Sequence, residues 1–520
     1  MNHQEIELIN LVKADVKLIQ IVSYETLRFH GMLIHVSEEA GRDLYVWNRT
    51  EGIKQWDRDE KGFKEEDFSA ENPDSAIEFY NKHDNLILLL EDFYPDLSDD
   101  KPRMIRTFRN IAMQEDKNKT LVFSQPFLQI PKELEKDVHI FELPYPDFED
   151  IKAIYKMVCA KYNIASDDPD PELIEAALGL TIMEAEKAFS LAFVENGRLT
   201  GAEVPLVIRE KENVIKKSGF LEYYHPKETM NDVGGLENLK EWLKKRKSGF
   251  DKCAKDFGLT YPKGIMLLGI PGTGKSLTAK AVGNHWHFPL LRLDMGKIFG
   301  GIVGESESNI REALKIAEAI APSILWIDEI EKGMSGISSS GSTDGGTTAR
   351  VLGTFLTWMQ EKTKPVFVVA TANDISQLPP ELLRKGRVDE IFFVDLPTEN
   401  ERKEILKIHL KRKKRTPEDF DIDKLAKESK GFSGAELEEV VKEALFQAYD
   451  EEKEVTNEHI SKAIEKTYPL SRTMHETIEQ MRKWAKSRAV NASKEGPEEL
   501  GVKDTDVPKL KQETYNNPFA

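Results

Sequence analysis

Cysteine is almost absent: Cys159 and Cys253 are the only two in 520 residues, and neither belongs to a Cys-x-x-Cys pair. Neither a disulfide framework nor a thiolate metal site is supported, and a reducing compartment, the cytoplasm, fits best. Long apolar runs are missing as well. Stretches such as Leu86–Leu90 fall far short of the roughly 20 residues that a spanning helix needs, and Met1-Asn2-His3-Gln4-Glu5 shows no basic or apolar leader pattern. The chain is therefore expected neither to be secreted nor to insert into a membrane. An excess of basic charge is also lacking. Lys and Arg total 73 against 91 Asp and Glu, and a net charge of −18 repels nucleic-acid backbones over most of the surface.

What is present is globular, with 40% hydrophobic and 32% charged residues. Short β-rich runs at 18–22, 44–47, 86–90 and 120–123 alternate with helical or charged stretches, and a second α/β series places strands at 264–268, 290–293, 324–327, 366–370 and 391–394. From about Thr398 the pattern turns helical as far as residue 490. The acidic stretch Asp57–Asp74 reads as an exposed excursion with a turn at Asn72-Pro73-Asp74, most simply an unstructured linker. These patterns divide the chain into a first α/β domain (1–200), a linker (201–228), a second α/β core (229–397), a helical domain (398–466), a C-terminal helix (467–493) and a mobile tail (494–520).

The two series resemble each other in register. Thr120–Leu134 parallels Val366–Leu382, Phe141-Glu-Leu-Pro144 parallels Val394-Asp-Leu-Pro397, and Gly179–Glu186 parallels Gly431–Glu438. Leu86–Asp92 likewise echoes Ile324–Glu329, so the first half reads as a divergent copy of the second. The copy lacks one thing. Nothing after Ile19–Ser23 supplies a Gly-x4-Gly-Lys-Ser/Thr loop, and the first half is not expected to hydrolyse nucleotide.

The second half has that loop. Gly269-Ile-Pro-Gly-Thr-Gly-Lys-Ser276 follows the apolar run 264–268 and precedes the helical pattern Leu277–Asn284, the strand–loop–helix context that a phosphate loop requires. Its glycines let successive N–H groups turn toward phosphate at a helix N-terminus. Pro271, Gly272, Thr273, Gly274, Lys275, Ser276 and Leu277 are thus the expected nucleotide contacts, Lys275 neutralising phosphate charge and Ser276 ligating Mg²⁺. Ile324–Glu329 is a buried strand ending in two acids, where Asp328 can hold the metal and Glu329 can polarise an attacking water. Asn373 follows the next strand, at the end of the sheet where ligands gather. Arg384 and Arg387 lie in a loop before the last strand, and a guanidinium there can stabilise a transferring phosphoryl group.

Asp232-Val-Gly-Gly235, the phosphate loop, Gly304–Arg311, Asp328-Glu329, Thr371-Ala-Asn373, Leu383–Asp389 and Gly431–Glu436 occur in the order found in AAA ATPases, which residues 229–450 resemble. The resemblance implies a P-loop AAA+ module, a parallel sheet flanked by helices with a helical lid, here preceded by a degenerate AAA-like domain. It further implies ATP and Mg²⁺ as cofactors, a homo-oligomeric ring, usually hexameric, and Arg384 and Arg387 acting as arginine fingers on the neighbouring subunit. Asp232, Val233, Gly234, His409, Gly434 and Ala435 would surround the adenine. Within that family the chain is most similar to a group encoded by a conserved open reading frame of algal plastids and cyanobacteria, with bacterial and phage relatives. That likeness rests on the degenerate first half, Phe299–Glu305, Pro469–Met474 and Met481–Lys486, and it places the chain in the plastid stroma if it is plastid-encoded.

Family members that thread protein usually carry an aromatic residue in the pore loop, where this chain has Ile302-Val303-Gly304-Glu305. An aliphatic residue there buries less area than an aromatic one and weakens threading. Gly333–Thr348 reads as a second pore loop or a connector, and Lys411–Arg415 as the cationic end of a helix. The leading expectation is an oligomeric ATPase that remodels or regulates an unknown protein partner. An ATP-gated binding switch without threading is the alternative, and a DNA-associated loader is disfavoured by charge.

Overall fold

Apolar runs that are buried on both faces become the central strands of parallel sheets, and such runs organise both halves of this chain. The computed structural model describes residues 3–498 except 67–71, 99, 116–117, 127, 165–168, 300–304, 334–344 and 385. It divides into two compact units, 1–214 and 215–520.

The first unit contains β1 (Leu18–Val22), β2 (Asp43–Asn48), β3 (Gly52–Asp57), β4 (Gly62–Glu65), β5 (Leu86–Glu91), β6 (Lys119–Gln125) and β7 (Val138–Glu142). They form one sheet in the order β4-β3-β2-β5-β6-β1-β7. β2, β5, β6, β1 and β7 are parallel, whereas β3 and β4 extend the edge as antiparallel strands. Leu86 to Leu90 of β5 are wholly buried and feed the two apolar clusters, one on each face, with alternate side chains.

The second unit contains β8 (Leu221–Tyr224), β9 (Gly264–Gly269), β10 (Leu290–Leu293), β11 (Ser323–Ile327), β12 (Val366–Ala372), β13 (Glu390–Val394) and β14 (Val490–Asn491). Their order is β14-β13-β9-β12-β11-β10-β8, with β8 antiparallel to its neighbour. Numbered within its own unit, each five-stranded parallel core runs second, third, fourth, first, fifth.

Helices follow the fifth strand of the parallel core in both units. In the first, Phe148–Lys161, Pro171–Ala177 and Ile182–Asn196 enclose Ile151, Val158 and Phe189. In the second, Glu399–Arg412, Ile422–Glu428, Gly434–Asp450 and Asn457–Lys466 enclose Leu406, Leu425 and Val440. Even the caps match. Asp147 with Asp150 and Thr398 with Glu401 box the first helices, and Thr181 with Glu184 and Ser433 with Glu436 box the third.

Four expectations need correction. The stretch 201–228 is not a linker: Val204–Lys217 is a helix whose Val207 is buried among the first unit's helices, and Leu221–Tyr224 is β8. Charged residues between the apolar positions hide that helical face from a reading by composition. The acidic stretch after Asp57 is structured on both sides of residues 67–71, because Trp56 and Phe63 meet edge to face across the β3–β4 pair with centroids 5.2 Å apart and Asn72 caps the helix Pro73–Lys82. Residues 494–498 are packed as well, with Glu498 on Arg402 at 3.0 Å and Glu495 on Asn400 at 2.7 Å. The expected C-terminal helix is two helices, Leu470–Thr473 and His475–Ala485, followed by β14. The segment 302–304 and most of 333–348 lie outside the described residues, as does the chain beyond 498.

Candidate functional site

The site is built where β9 turns into the helix Lys275–Trp286. Five residues, 270–274, make the turn, and positive φ values of 77° at Gly272 and 90° at Gly274 let it curl. A Cβ on Gly272 would lie 2.9 Å from Ser433 Oγ and 3.1 Å from Ala435 Cβ, so the loop passes close under the helix Gly434–Asp450. The Ala435 amide donates to Gly272 O at 2.9 Å. Ile270, at the start of the loop, is packed from behind by Ile478 and Met481 of the C-terminal helix.

Above the loop is a cavity of about 380 Å³. Its walls bring together Asp232, Val233, Gly234, Pro271, Gly272, Thr273, Gly274, Lys275, Ser276, Leu277, Glu329, Asn373, His409, Gly434 and Ala435. The helix Glu399–Arg412 roofs the Asp232 side. Glu404 accepts from the Gly235 amide at 2.9 Å, Glu401 from the Leu236 amide at 3.2 Å, and Arg412 pairs with Asp232 at 3.0 Å. Gly234 has no room for a side chain there, since a Cβ would come within 2.6 Å of Ile405.

Sequence reading missed Ile405, Ile408, Arg412 and Glu438, which also line the cavity. The signal was present: Ile405 and Arg412 stand four residues before and three after His409, and Glu438 stands four after Gly434, which puts each pair on one helix face. Burial pushes the His409 imidazole below its ordinary pKa, so a neutral ring faces the cavity.

The acidic strand end is tightly wired. Asp328 Oδ1 accepts from Ser276 Oγ at 2.7 Å and from Thr371 Oγ1 at 2.6 Å, while the Glu329 amide donates to Thr371 Oγ1 at 2.9 Å. Glu329 adopts φ +49°, a left-handed conformation that costs a non-glycine residue about 1–2 kcal/mol. Asn373 Nδ2 donates to Glu329 Oε1 at 2.9 Å, and the Asn373 amide donates to Glu331 Oε1 at 2.9 Å. Glu331 was not foreseen. It is buried, its Oε2 has no partner, and burial raises its pKa.

Lys275 Nζ donates to Gly269 O and Ile270 O at 2.9 and 2.7 Å. Burial lowers its pKa to about 8 against the opposing pull of Glu331, Asp328 and Glu329. Arg384 and Arg387 are not among the residues lining this chain's cavity. Arg384 is exposed, and Arg387 carries a buried Nη1 without a partner.

A parallel sheet in this order, with a glycine-curled loop and lysine at the end of its first strand and an acidic pair at the end of its third, defines a phosphate-loop nucleotide-binding module. Comparisons with known proteins narrow the class. Residues 265–396 match the model of the ATPase family associated with various cellular activities (AAA), and 419–462 match the AAA+ lid domain. Residues 4–143 and 149–218 match the N-terminal and second domains of SpoVK-like AAA ATPases. The chain is 39% identical to the uncharacterized AAA domain-containing protein ycf46 of Guillardia theta, over 91% of this chain and 93% of the relative. It is also 39% identical to the ycf46 protein of Pyropia yezoensis, over 93% and 98%. A cell division cycle protein 48 homolog of Archaeoglobus fulgidus is 29% identical over 69% of this chain and 52% of its own. The chain belongs to the AAA ATPase family, alongside the ycf46 proteins. Among the described residues, no helix is long and apolar enough to cross a membrane.

Proposed function

We propose that the second unit binds and hydrolyses MgATP in the cavity described, that copies of the chain assemble into a ring, expected to be a hexamer, and that the cycle remodels or regulates a protein partner. The Glu329–Asn373 pair carries this reading, because it aims a carboxylate held by an amide at the space above the phosphate loop. Family membership implies an ATPase, and the site geometry supports the following division of parts.

Glu329 takes the proton from water as the water oxygen bonds to the γ-phosphorus; the bond from that phosphorus to the β–γ bridging oxygen breaks and ADP leaves. Asn373 fixes the direction of the carboxylate, and the charged form of Lys275 offsets the negative charge on the β- and γ-phosphates. Ser276 and Asp328 supply a hydroxyl and a carboxylate oxygen side by side, hard donors of the kind Mg²⁺ takes alongside phosphate oxygens. They would hold the ion, which when bound neutralises phosphate charge. The neutral His409 ring, Ile405 and Ile408 suit an adenine face. Arg384 and Arg387, set apart from this chain's own cavity, suit a site completed by a neighbouring copy. The protein works in the cytoplasm, or in the stroma if plastid-encoded.

The test is turnover against protein concentration. Activity per chain should rise as an ATP-dependent oligomer forms, and Arg384→Ala should remove it without weakening nucleotide binding. Equal activity in the monomer would end the shared-site reading.

A further inference from the structure

In the first unit, the turn between β1 and the helix Thr26–Ala40 has three residues, Ser23-Tyr24-Glu25, against five in the second unit. It has no glycine and cannot wrap a phosphate. Glu25 stands at the N-cap of that helix, the position Gly274 holds in the second unit. We infer that the Glu25 carboxylate stands in for the missing phosphate loop, and holds the first unit's helical part shut on its sheet without any ligand.

Glu25 is buried, and both of its oxygens are engaged. Oε1 accepts from the backbone amide of Ile182 at 2.6 Å, and Ile182 opens the helix Ile182–Asn196, the counterpart of Gly434–Asp450. A negative group at that helix start meets unsatisfied N–H donors and the positive end of the helix dipole, where in the second unit the loop carbonyl Gly272 O takes the Ala435 amide. Oε2 accepts from Arg28 at 2.8 Å. The same guanidinium donates to Pro144 O, just beyond β7, and to Asp150 at 3.3 Å in the first turn of the helix Phe148–Lys161. One carboxylate and one guanidinium thus tie the former loop to the sheet–helix junction and to two of the three helices beyond it.

The acidic strand end is filled in the same way. Asp92 has φ +48°, nearly the +49° of Glu329, which makes Glu91 the counterpart of Asp328. Where Asp328 takes the hydroxyl of Ser276, Glu91 takes His30 Nε2 at 2.8 Å and Asn48 Nδ2 at 3.1 Å. Glu25 and Glu91, two positions at the place where the second unit has its phosphate loop and acidic pair, thus take their partners from the chain itself. The first unit is thereby a fixed platform. This inference does not depend on whether the second unit turns ATP over.

Hydrogen exchange on the full chain tests it. Glu25→Ala should speed exchange of the Ile182 amide and its helix turn by about tenfold or more, the scale of one lost hydrogen bond to a charged group. Added inorganic phosphate or acetate should slow it again by filling the vacated place, where equal ionic strength from chloride should not. Should the alanine variant fail to fold, Glu25→Gln decides: it keeps an acceptor for Ile182 but not the charge pair with Arg28, and exchange should still rise measurably. Exchange at Ile182 that matches wild type, failure of both anions to slow it in the alanine variant, or protection of 23–30 by an ATP analogue in the wild-type chain would each overturn the inference.

Discussion

The two units keep one strand order, one set of helix caps and one backbone kink after the third parallel strand, yet they differ in five residues against three at a single turn. Around the longer turn, polar groups face a cavity of about 380 Å³; around the shorter one, they face each other. A fold of this kind is held together by apolar strands and helices whose packed faces lie away from the ligand, so the loop can be lost while the architecture stays. Losing it has a condition: the helix N-terminus and acidic strand end that a nucleotide would satisfy need other partners, because buried polar groups without them are costly. Glu25, Arg28 and His30 meet that condition.

The comparison can be broken most forcefully at Glu329. Glu329→Gln should leave nucleotide binding intact and lower turnover by about 10²–10⁴-fold, and no residual activity should trace to Glu91 or Asp92. Steady-state hydrolysis with saturating MgATP checks this; activity that survives the change would mean that the acidic pairs had been assigned to the wrong units.

Glu331→Ala should reduce turnover about tenfold with little change in analogue affinity, because the Asn373 backbone loses its acceptor and the amide that holds Glu329 loosens. A parallel loss in affinity would make Glu331 a structural support and not a positioning one.

Lys275 sharpens the contrast through pH. Its charged form is the one that binds phosphate, and burial brings its pKa down to about 8. Analogue affinity should therefore fall as pH rises from about 7.5 to 9.5. Fluorescence titration across that range reads it directly.

The smallest effect is expected at Lys211 in the first unit, buried and lowered to about 7 by burial. Between that value and the ordinary 10.5 the unfolded chain binds more protons than the folded one, so stability should increase with pH over this window. Lys211→Met should remove that slope and raise the melting temperature at pH 7 by about 4 °C. Calorimetry at pH 7 and 9 distinguishes this from a flat profile in the wild type, which would contradict it.

The phosphate loop, Asp328, Glu329 and Asn373 were legible because glycine, lysine and acids at strand ends are local signals with a local cause. The central strands were legible for the same reason, as short apolar runs broken at most by one polar residue such as Gln20 or Arg292. The edges were not. β8, β14 and the β3–β4 pair are short, half-polar strands whose partners lie far along the chain, and the helix Val204–Lys217 hides its apolar face among charges. Ile405 and Ile408 become part of the site only once their helix folds over Gly234. Glu25 acquires its role from an amide 157 residues away, a relation that no local pattern carries.

The central claim, one working site per chain and in the second unit, is tested most directly by counting MgATP analogue bound at saturation to the wild-type chain and to Lys275→Ala. One analogue per wild-type chain and none on the variant is the predicted result. Two per chain, or one remaining on Lys275→Ala, would mean that the first unit also binds nucleotide and would contradict the account.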